Sequence, residues 1–143
     1  VVFERFIPRA RIDLWIVPLD LVIEVKFRRP NPGGRNLAET QICGSLLSDF
    51  NKVTTVAARQ RLVIYVTNPQ GIAYLSRSGR GLLPQQLGGE TTISSLQIER
   101  LPATAAYHAV ADGPWNDLAS RLRWHRQIDD WHLMAWEVFG SIG

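Results

Sequence analysis

The sequence predicts a mixed α/β domain, in which one central mixed β-sheet is flanked by helices. Three short segments rich in β-branched and aromatic residues open the chain, separated by proline-containing breaks. A segment with apolar residues at helical spacing follows, and after it comes an apolar run typical of a strand covered on both faces. Strand, helix and strand in this order favour two parallel neighbours in one sheet.

Length and composition indicate a single domain over residues 1–143, with 45% hydrophobic and 20% charged residues. No apolar run approaches the roughly 20 residues of a membrane span. The only cysteine, Cys43, excludes an internal disulfide and a multi-cysteine zinc site, and it favours a cytoplasmic protein. A net charge of +3 suits a polyanionic partner. Because the chain starts at Val1 and enters a strand directly, we expect a fragment or a processed domain.

The first half of the chain has the clearer patterns. Strands are predicted over residues 1–7, 11–17, 21–27 and 61–67. The short connections between the first three strands favour antiparallel neighbours. A proline- and glycine-rich loop then leads to a helix over 36–50, with Asn36 as its N-cap. Gly44 and Ser45 are expected to let this helix lie close to the sheet.

The second half is predicted from weaker patterns. A short strand is expected over 71–75, a loop over 76–90 and another strand over 91–101. Apolar residues three or four positions apart predict two helices, over 114–124 and 128–139.

The second and third strands carry charged residues among aliphatic ones. Side chains alternate between the two faces of a strand, so Glu24 and Lys26 share one face. An even-numbered connection puts Asp13 on that face too, opposite Lys26 if the loop is 18–21 and opposite Glu24 if it is 18–19. An odd-numbered connection puts Asp13 on the other face, unless a bulge restores the register. A solvated hairpin face is the alternative interpretation of these charges.

In the even-numbered registers, Asp13 and Glu24 provide hard oxygen ligands suited to Mg²⁺, which binds through one or two carboxylates. The backbone carbonyl of Val25, between Glu24 and Lys26, is a further predicted ligand. The Lys26 ammonium points into the same space, where it can orient an attacking water or stabilise charge on a phosphate.

The order of these motifs resembles the PD-(D/E)XK nuclease superfamily, with its restriction-endonuclease-like core. "RID" on one strand is followed by "IEVK" on the next, then by a helix that carries Gln41 and an apolar strand. The resemblance covers residues 1–67, and it makes 68–143 an elaboration of strands and helices. It implies that Asp13 and Glu24 are metal ligands, that Lys26 is the catalytic lysine and that Gln41 takes part in catalysis.

The resemblance further implies a Mg²⁺-dependent endonuclease, with Mn²⁺ as a substitute metal. DNA is the implied substrate, ahead of RNA, and a homodimer or further domains are the other expected partners. Two positions depart from the family pattern: Ile12 stands in place of its proline, and Ser45 in place of a tyrosine that often follows the glutamine.

Further cations follow the proposed site and are candidates for contacts with nucleic acid. Those in the loop after Lys26 are Arg28, Arg29 and Arg35, and others on the same edge are Lys52, Arg59 and Arg61. A basic, solvated loop is the alternative interpretation. Arg77 and Arg80 lie in a flexible, glycine-containing segment.

Histidine and tryptophan residues in the second half allow two weaker hypotheses. His108, His125 and His132 suggest a second metal site with Asp129 or Asp130, although surface histidines explain them better. Tryptophans 115, 124, 131 and 136 are expected to pack in the core more than to stack on bases. No serine lies in a nucleophile-elbow setting, and no strand-GxxxxGK-helix loop is present.

Two other functions compete with the nuclease. One is a non-catalytic nucleic-acid-binding or assembly module with a degenerate nuclease-like core. The other is an ordinary α/β domain whose hairpin carries surface salt bridges. Mg²⁺ binding distinguishes a metal site from both.

Overall fold

Seven strands and four α-helices make up the described part of the molecule. The computed structural model describes residues 2–7, 10–28, 39–78 and 82–140, with the side chains of 12–28, 39–76 and 82–140. The strands are β1 Val2–Ile7, β2 Ala10–Ile16, β3 Leu21–Phe27, β4 Gln60–Thr67, β5 Glu90–Ile93, β6 Leu118–Ile128 and β7 Trp131–Gly140. The helices are α1 Glu39–Thr54, α2 Pro69–Ser78, α3 Ser95–Glu99 and α4 Ala103–Ala109. All strands join one seven-stranded sheet in the order β1-β2-β3-β4-β7-β6-β5.

The predicted fold class, a mixed β-sheet flanked by helices, is confirmed. β3 and β4 are parallel neighbours joined through α1, as expected. The other neighbouring strands pair antiparallel. The first four strands lie within about a residue of their predicted bounds, because their β-branched and aromatic composition is strong and their breaks are short.

Helix α1 lies between the sheet and α4. Its buried apolar residues recur at helical spacing: Cys43, Leu46, Leu47, Phe50 and Val53. Gly44 faces α4, where an added Cβ would clash with the Ala105 carbonyl oxygen. Gly44 therefore allows the close approach of α4, whereas Ser45 faces the sheet, where it accepts a hydrogen bond from Lys26. The predicted cap Asn36 lies outside the described residues.

The core forms where α1 meets β4 and β7. Trp136 of β7 is fully buried, and its ring centroid lies 5.5 Å from that of Phe50. The Trp136 indole Nε1 donates a hydrogen bond to the Pro84 carbonyl oxygen at 3.0 Å. Tyr65 and Val63 of β4 are buried on the same side of the sheet. This core fixes α1 above the centre of the sheet.

The helices predicted over 114–124 and 128–139 are wrong, because these residues form the antiparallel hairpin of β6 and β7. Burial alternates at the start of β6, with Leu118, Ser120 and Leu122 buried. Apolar residues four apart fit a strand as well as a helix, which explains the error. Asp129 turns the chain with a φ of 52°, a conformation that aspartate tolerates.

Two shorter predictions in this half are also wrong. Residues 71–75, predicted as a strand, belong to α2, where the Asn68 side chain accepts a hydrogen bond from the Gly71 N–H at 3.0 Å. Within 91–101 the chain leaves β5 at Ser94, which begins α3 with a capping box. Among the described helices, none has the length and apolar character needed to cross a membrane.

Candidate metal and catalytic site

The register of β2 and β3 brings the two predicted carboxylates face to face. Trp15 pairs with Val22 and Leu14 with Ile23, so the next position along places Asp13 opposite Glu24. This is one of the two even-numbered registers that the sequence allowed. The turn between the strands ends at Asp20, whose φ of 48° closes it in the left-handed conformation.

Side-chain hydrogen bonds hold the two strands where the carboxylates meet. The Asp13 N–H donates to Glu24 Oε1 at 3.2 Å, and the Val25 N–H donates to Asp13 Oδ2 at 3.0 Å. Each carboxylate therefore accepts a backbone N–H from the opposite strand. This exchange fixes both carboxylates beside Val25, whose carbonyl is the third predicted ligand.

Helix α1 adds side chains that the sequence analysis did not assign to the site. Ser45, Asp49 and Lys52 follow Gln41 at helical spacing, and the three lie over the carboxylates of the sheet. Asp49 was not a candidate, and Lys52 was predicted only as a contact to nucleic acid. Their spacing from Gln41 is the signal that could have identified them.

The two lysines have different partners. Lys26 Nζ donates to Ser45 Oγ at 2.8 Å and lies 3.3 Å from Asp49 Oδ2. Lys52 Nζ lies 3.1 Å from Glu24 Oε1 and 3.8 Å from Asp49 Oδ1. Lys26 is thus held from the helix, while Lys52 is the direct counter-ion of Glu24.

Burial disfavours the charged form of two carboxylates in this cluster. Glu24 is 2% exposed and Asp49 is 6% exposed. Burial, followed by a side-chain hydrogen bond with Asp13, raises the pKa of Glu24 to about 8 against the opposing charge of Lys52. Burial also raises the pKa of Asp49, although Lys26 and Lys52 oppose it.

The donor set fits a divalent cation of the Mg²⁺ type. Asp13 and Glu24 supply hard oxygens at one point, and Mg²⁺ needs only one or two carboxylates besides water. Asp49 Oδ2 is buried near them without a hydrogen bond in proper geometry. No group of three or more His, Cys, Asp or Glu side chains in the described ranges has an arrangement that could hold a metal. The fit therefore rests on the pair Asp13 and Glu24.

The other predicted site residues are placed less favourably. Gln41 is exposed on α1, one turn before Ser45. Arg28 is buried in an ion pair with Glu39, so its guanidinium does not face solvent as a phosphate contact requires. The loop arginines 29 and 35, together with Arg80 and the side chain of Arg77, lie outside the described residues. Arg61 Nε donates to the Val56 carbonyl oxygen at 2.8 Å, which engages part of its guanidinium.

The histidines do not assemble as the second predicted metal site. His125 Nε2 and His132 Nδ1 lie 2.9 Å apart on the β6–β7 hairpin. His108 belongs instead to α4, where it packs against Gly44. Burial and the neighbouring His132 lower the pKa of His125.

The tryptophans divide into buried and exposed sets. Trp136 is fully buried and Trp115 donates from Nε1 to the Ile93 carbonyl oxygen at 3.1 Å. Trp124 and Trp131 are 43% and 40% exposed. Trp136 and Trp115 therefore pack in the core as expected, whereas Trp124 and Trp131 are partly exposed.

We expect the metal-free protein to lose stability as pH rises from about 5 to 8. In this range the folded protein keeps a proton on Glu24 that the unfolded chain has released, so a higher pH favours unfolding. Each pKa unit corresponds to about 1.4 kcal/mol, which limits the loss to a few kcal/mol. Urea unfolding in chelator at several pH values measures this loss. Glu24→Gln should reduce the slope, part of which remains because the pKa of Asp49 is also raised, and equal slopes in the two proteins would contradict the shifted pKa of Glu24.

Taken together, the cluster can bind a hard cation and present a fixed ammonium next to it. The two carboxylates hold the cation side, and Lys26 is oriented by Ser45 and Asp49. Comparison with protein-family models, with curated proteins and with solved structures found no match for this chain. Function is therefore inferred from the residues of the site.

Proposed function

We propose that this chain is a metal-dependent nuclease that hydrolyses phosphodiester bonds, acting as an endonuclease on DNA, with a restriction-endonuclease-like core. The observation that carries the proposal is the placement of Asp13 opposite Glu24, with Lys26 on the same face. The order of β2, β3, α1 and β4 supports the resemblance to the PD-(D/E)XK superfamily.

Asp13 and Glu24 would hold the metal, with the Val25 carbonyl as a further ligand. Bound there, Mg²⁺ supplies polarisation of the phosphate and a more acidic water. The chain itself contributes the Lys26 ammonium, which is positioned by Ser45 Oγ at 2.8 Å and can stabilise negative charge on a phosphate oxygen. Lys52 balances Glu24 at 3.1 Å and so reduces the cost of its buried charge.

The substrate assignment rests on charge and on the resemblance. The net charge of +3 favours a polyanion, and DNA is preferred to RNA only because the resemblance implies it. Because Arg28 is buried, contacts with the phosphate backbone are left to cations such as Arg29, Arg35 and the exposed Arg59. We also propose a cytoplasmic location, because a chain with a single cysteine forms no internal disulfide and suits a reducing compartment.

One observation favours the non-catalytic alternative. Both lysines of the site already have carboxylate partners, Lys52 with Glu24 and Lys26 with Asp49. An ion-pair network of this kind can serve structure alone. In that case the chain is a binding or assembly module, and it does not need a metal.

Mg²⁺ binding separates the two functions. We expect Mg²⁺ at ten times its Kd to stabilise the protein by roughly 1–2 kcal/mol, which raises Tm by about 3–6 °C. Differential scanning fluorimetry and titration calorimetry measure the two quantities. Asp13→Asn should abolish both signals, whereas Asp130→Asn at the exposed hairpin turn should leave them intact. A Tm that Mg²⁺ does not move, or moves equally in Asp13→Asn, would favour the module.

A further inference from the structure

One face of the sheet has a broad apolar region over β3, β4, β7 and β6, and it carries no helix of the described residues. α1 packs on the opposite face, through Phe50 against Trp136 and Ser45 against Lys26. α2 approaches that same face, where Gly71 lies against Thr67. The two helices predicted over 114–124 and 128–139 do not cover it either, because these residues form the β6–β7 hairpin, which extends the sheet.

Five large apolar side chains are exposed on this surface, which we call the open face: Val25, Phe27, Trp124, Ile128 and Trp131. Their exposed fractions are 42%, 51%, 43%, 56% and 40% in that order. The Phe27 and Trp131 rings contact each other with centroids 5.8 Å apart. The strand pairings show that the patch is continuous across β3, β4, β7 and β6.

The rows between these residues are apolar as well. In the first row, Phe27 of β3 is followed across the sheet by Val66, Leu133 and Arg126. In the second row, Val25 of β3 is followed by Ile64, Ala135 and Trp124. Arg126 is thus the only charged side chain in these two rows. A sheet face of this composition is normally covered by a second layer.

We propose that a second copy of this chain covers the open face, so that two sheets pack against each other in a symmetric dimer. With roughly 150–250 Å² per large side chain, the exposed fractions leave on the order of 500 Å² of apolar surface. The half-buried rows and the polar rim bring this towards the roughly 800 Å² per partner of a standard interface. Two apolar sheet faces pack about 10 Å apart, as in a sandwich.

Charge at the border of the open face favours pairing with itself. Arg126 lies at one edge, and Asp129 and Asp130 follow Ile128 in the adjoining turn. None of these three forms an ion pair with another described residue, and in an interface with two-fold symmetry Arg126 of each copy can pair with an aspartate of the other. A nucleic acid would need several unpaired cations on the face. Among the described residues, Arg121 and Arg123 also belong to this side of the sheet, but they pair with Glu90 and Glu137, which leaves Arg126.

Sedimentation equilibrium over about 1 to 200 µM tests the dimer, with a micromolar Kd as the expectation. The expected mass is twice the 16.1 kDa of the chain. Phe27→Glu and Ile128→Lys each bury a charge in the interface, so each should weaken association by roughly 100-fold or more. Leu96→Glu on α3, where Leu96 is 53% exposed, is the matched control and should still dimerise.

Three results overturn the proposal. The first is a monomer at the highest concentration, and the second is a dimer whose Kd is the same in both open-face variants as in the wild type. The third is a monomer in which a single-stranded oligonucleotide quenches the tryptophan fluorescence of the wild type but not of Phe27→Glu. The last result assigns the open face to nucleic acid. Circular dichroism confirms that each variant is folded, and the outcome does not depend on the nuclease proposal.

Discussion

Replacing Lys26 by methionine is expected to reduce phosphodiester cleavage by roughly 100- to 1,000-fold at saturating Mg²⁺, the usual effect of removing one donor to a developing charge. The ammonium is held by Ser45 and Asp49, so its position in the site is defined before substrate binds. Methionine keeps the length and the apolar stem of the side chain. Loss of activity should therefore come without loss of fold.

Initial rates on a labelled duplex, with circular dichroism melts, measure both effects. Arg121→Met is the matched control, because it removes a cation paired with Glu90 at the other side of the sheet. That variant should cleave like the wild type. Equal rates in Lys26→Met and the wild type would remove Lys26 from the catalytic assignment.

Trp136→Ala is expected to cost about 3–5 kcal/mol of the free energy of unfolding. The side chain is fully buried, packs against Phe50 of α1, and donates a hydrogen bond to the Pro84 carbonyl oxygen. Its removal leaves a cavity and an unpaired carbonyl where α1 meets β7. For a domain with a typical stability of about 5–15 kcal/mol, this loss is a large fraction of the free energy of unfolding.

Urea unfolding of Trp136→Ala beside Tyr107→Ala checks this expectation. Tyr107 is 71% exposed on α4, so its truncation should cost less than about 1 kcal/mol. A loss of under about 1 kcal/mol for Trp136→Ala would mean that this contact does not fix α1 on the sheet.

The fold of the first half could be predicted because several patterns agree there. β-branched composition, short breaks and a helical stripe with Cys43, Leu46 and Phe50 all point to the same elements. In the second half, Leu118 and Leu122 are four residues apart, a spacing that fits both a helix and a strand. The two aspartates at 129–130, between two long segments, were the missed turn signal.

The site was predictable only along its strands. Asp13, Glu24 and Lys26 follow from side-chain alternation, but the choice among registers depends on the turn that closes at Asp20. Asp49 enters through the rotation of α1 against the sheet, which tertiary packing sets. That is why the sequence analysis missed the third carboxylate.

Arg28 lies in surroundings that its sequence context did not indicate. A cation just after β3 was expected to meet phosphates, yet Glu39 at the start of α1 pairs with it, and Arg28 is buried. The ion pair depends on where the helix begins relative to β3. A loop composition rich in arginine does not contain that information.

Conversion of supercoiled plasmid to nicked or linear forms tests the central claim most directly. The wild-type protein should cut with Mg²⁺ and stop with chelator, and Asp13→Asn should not cut in either condition. This result would establish a metal-dependent nuclease that works through the pair Asp13 and Glu24. Cutting by Asp13→Asn at the wild-type rate, or no cutting by folded wild-type protein in Mg²⁺, would contradict it.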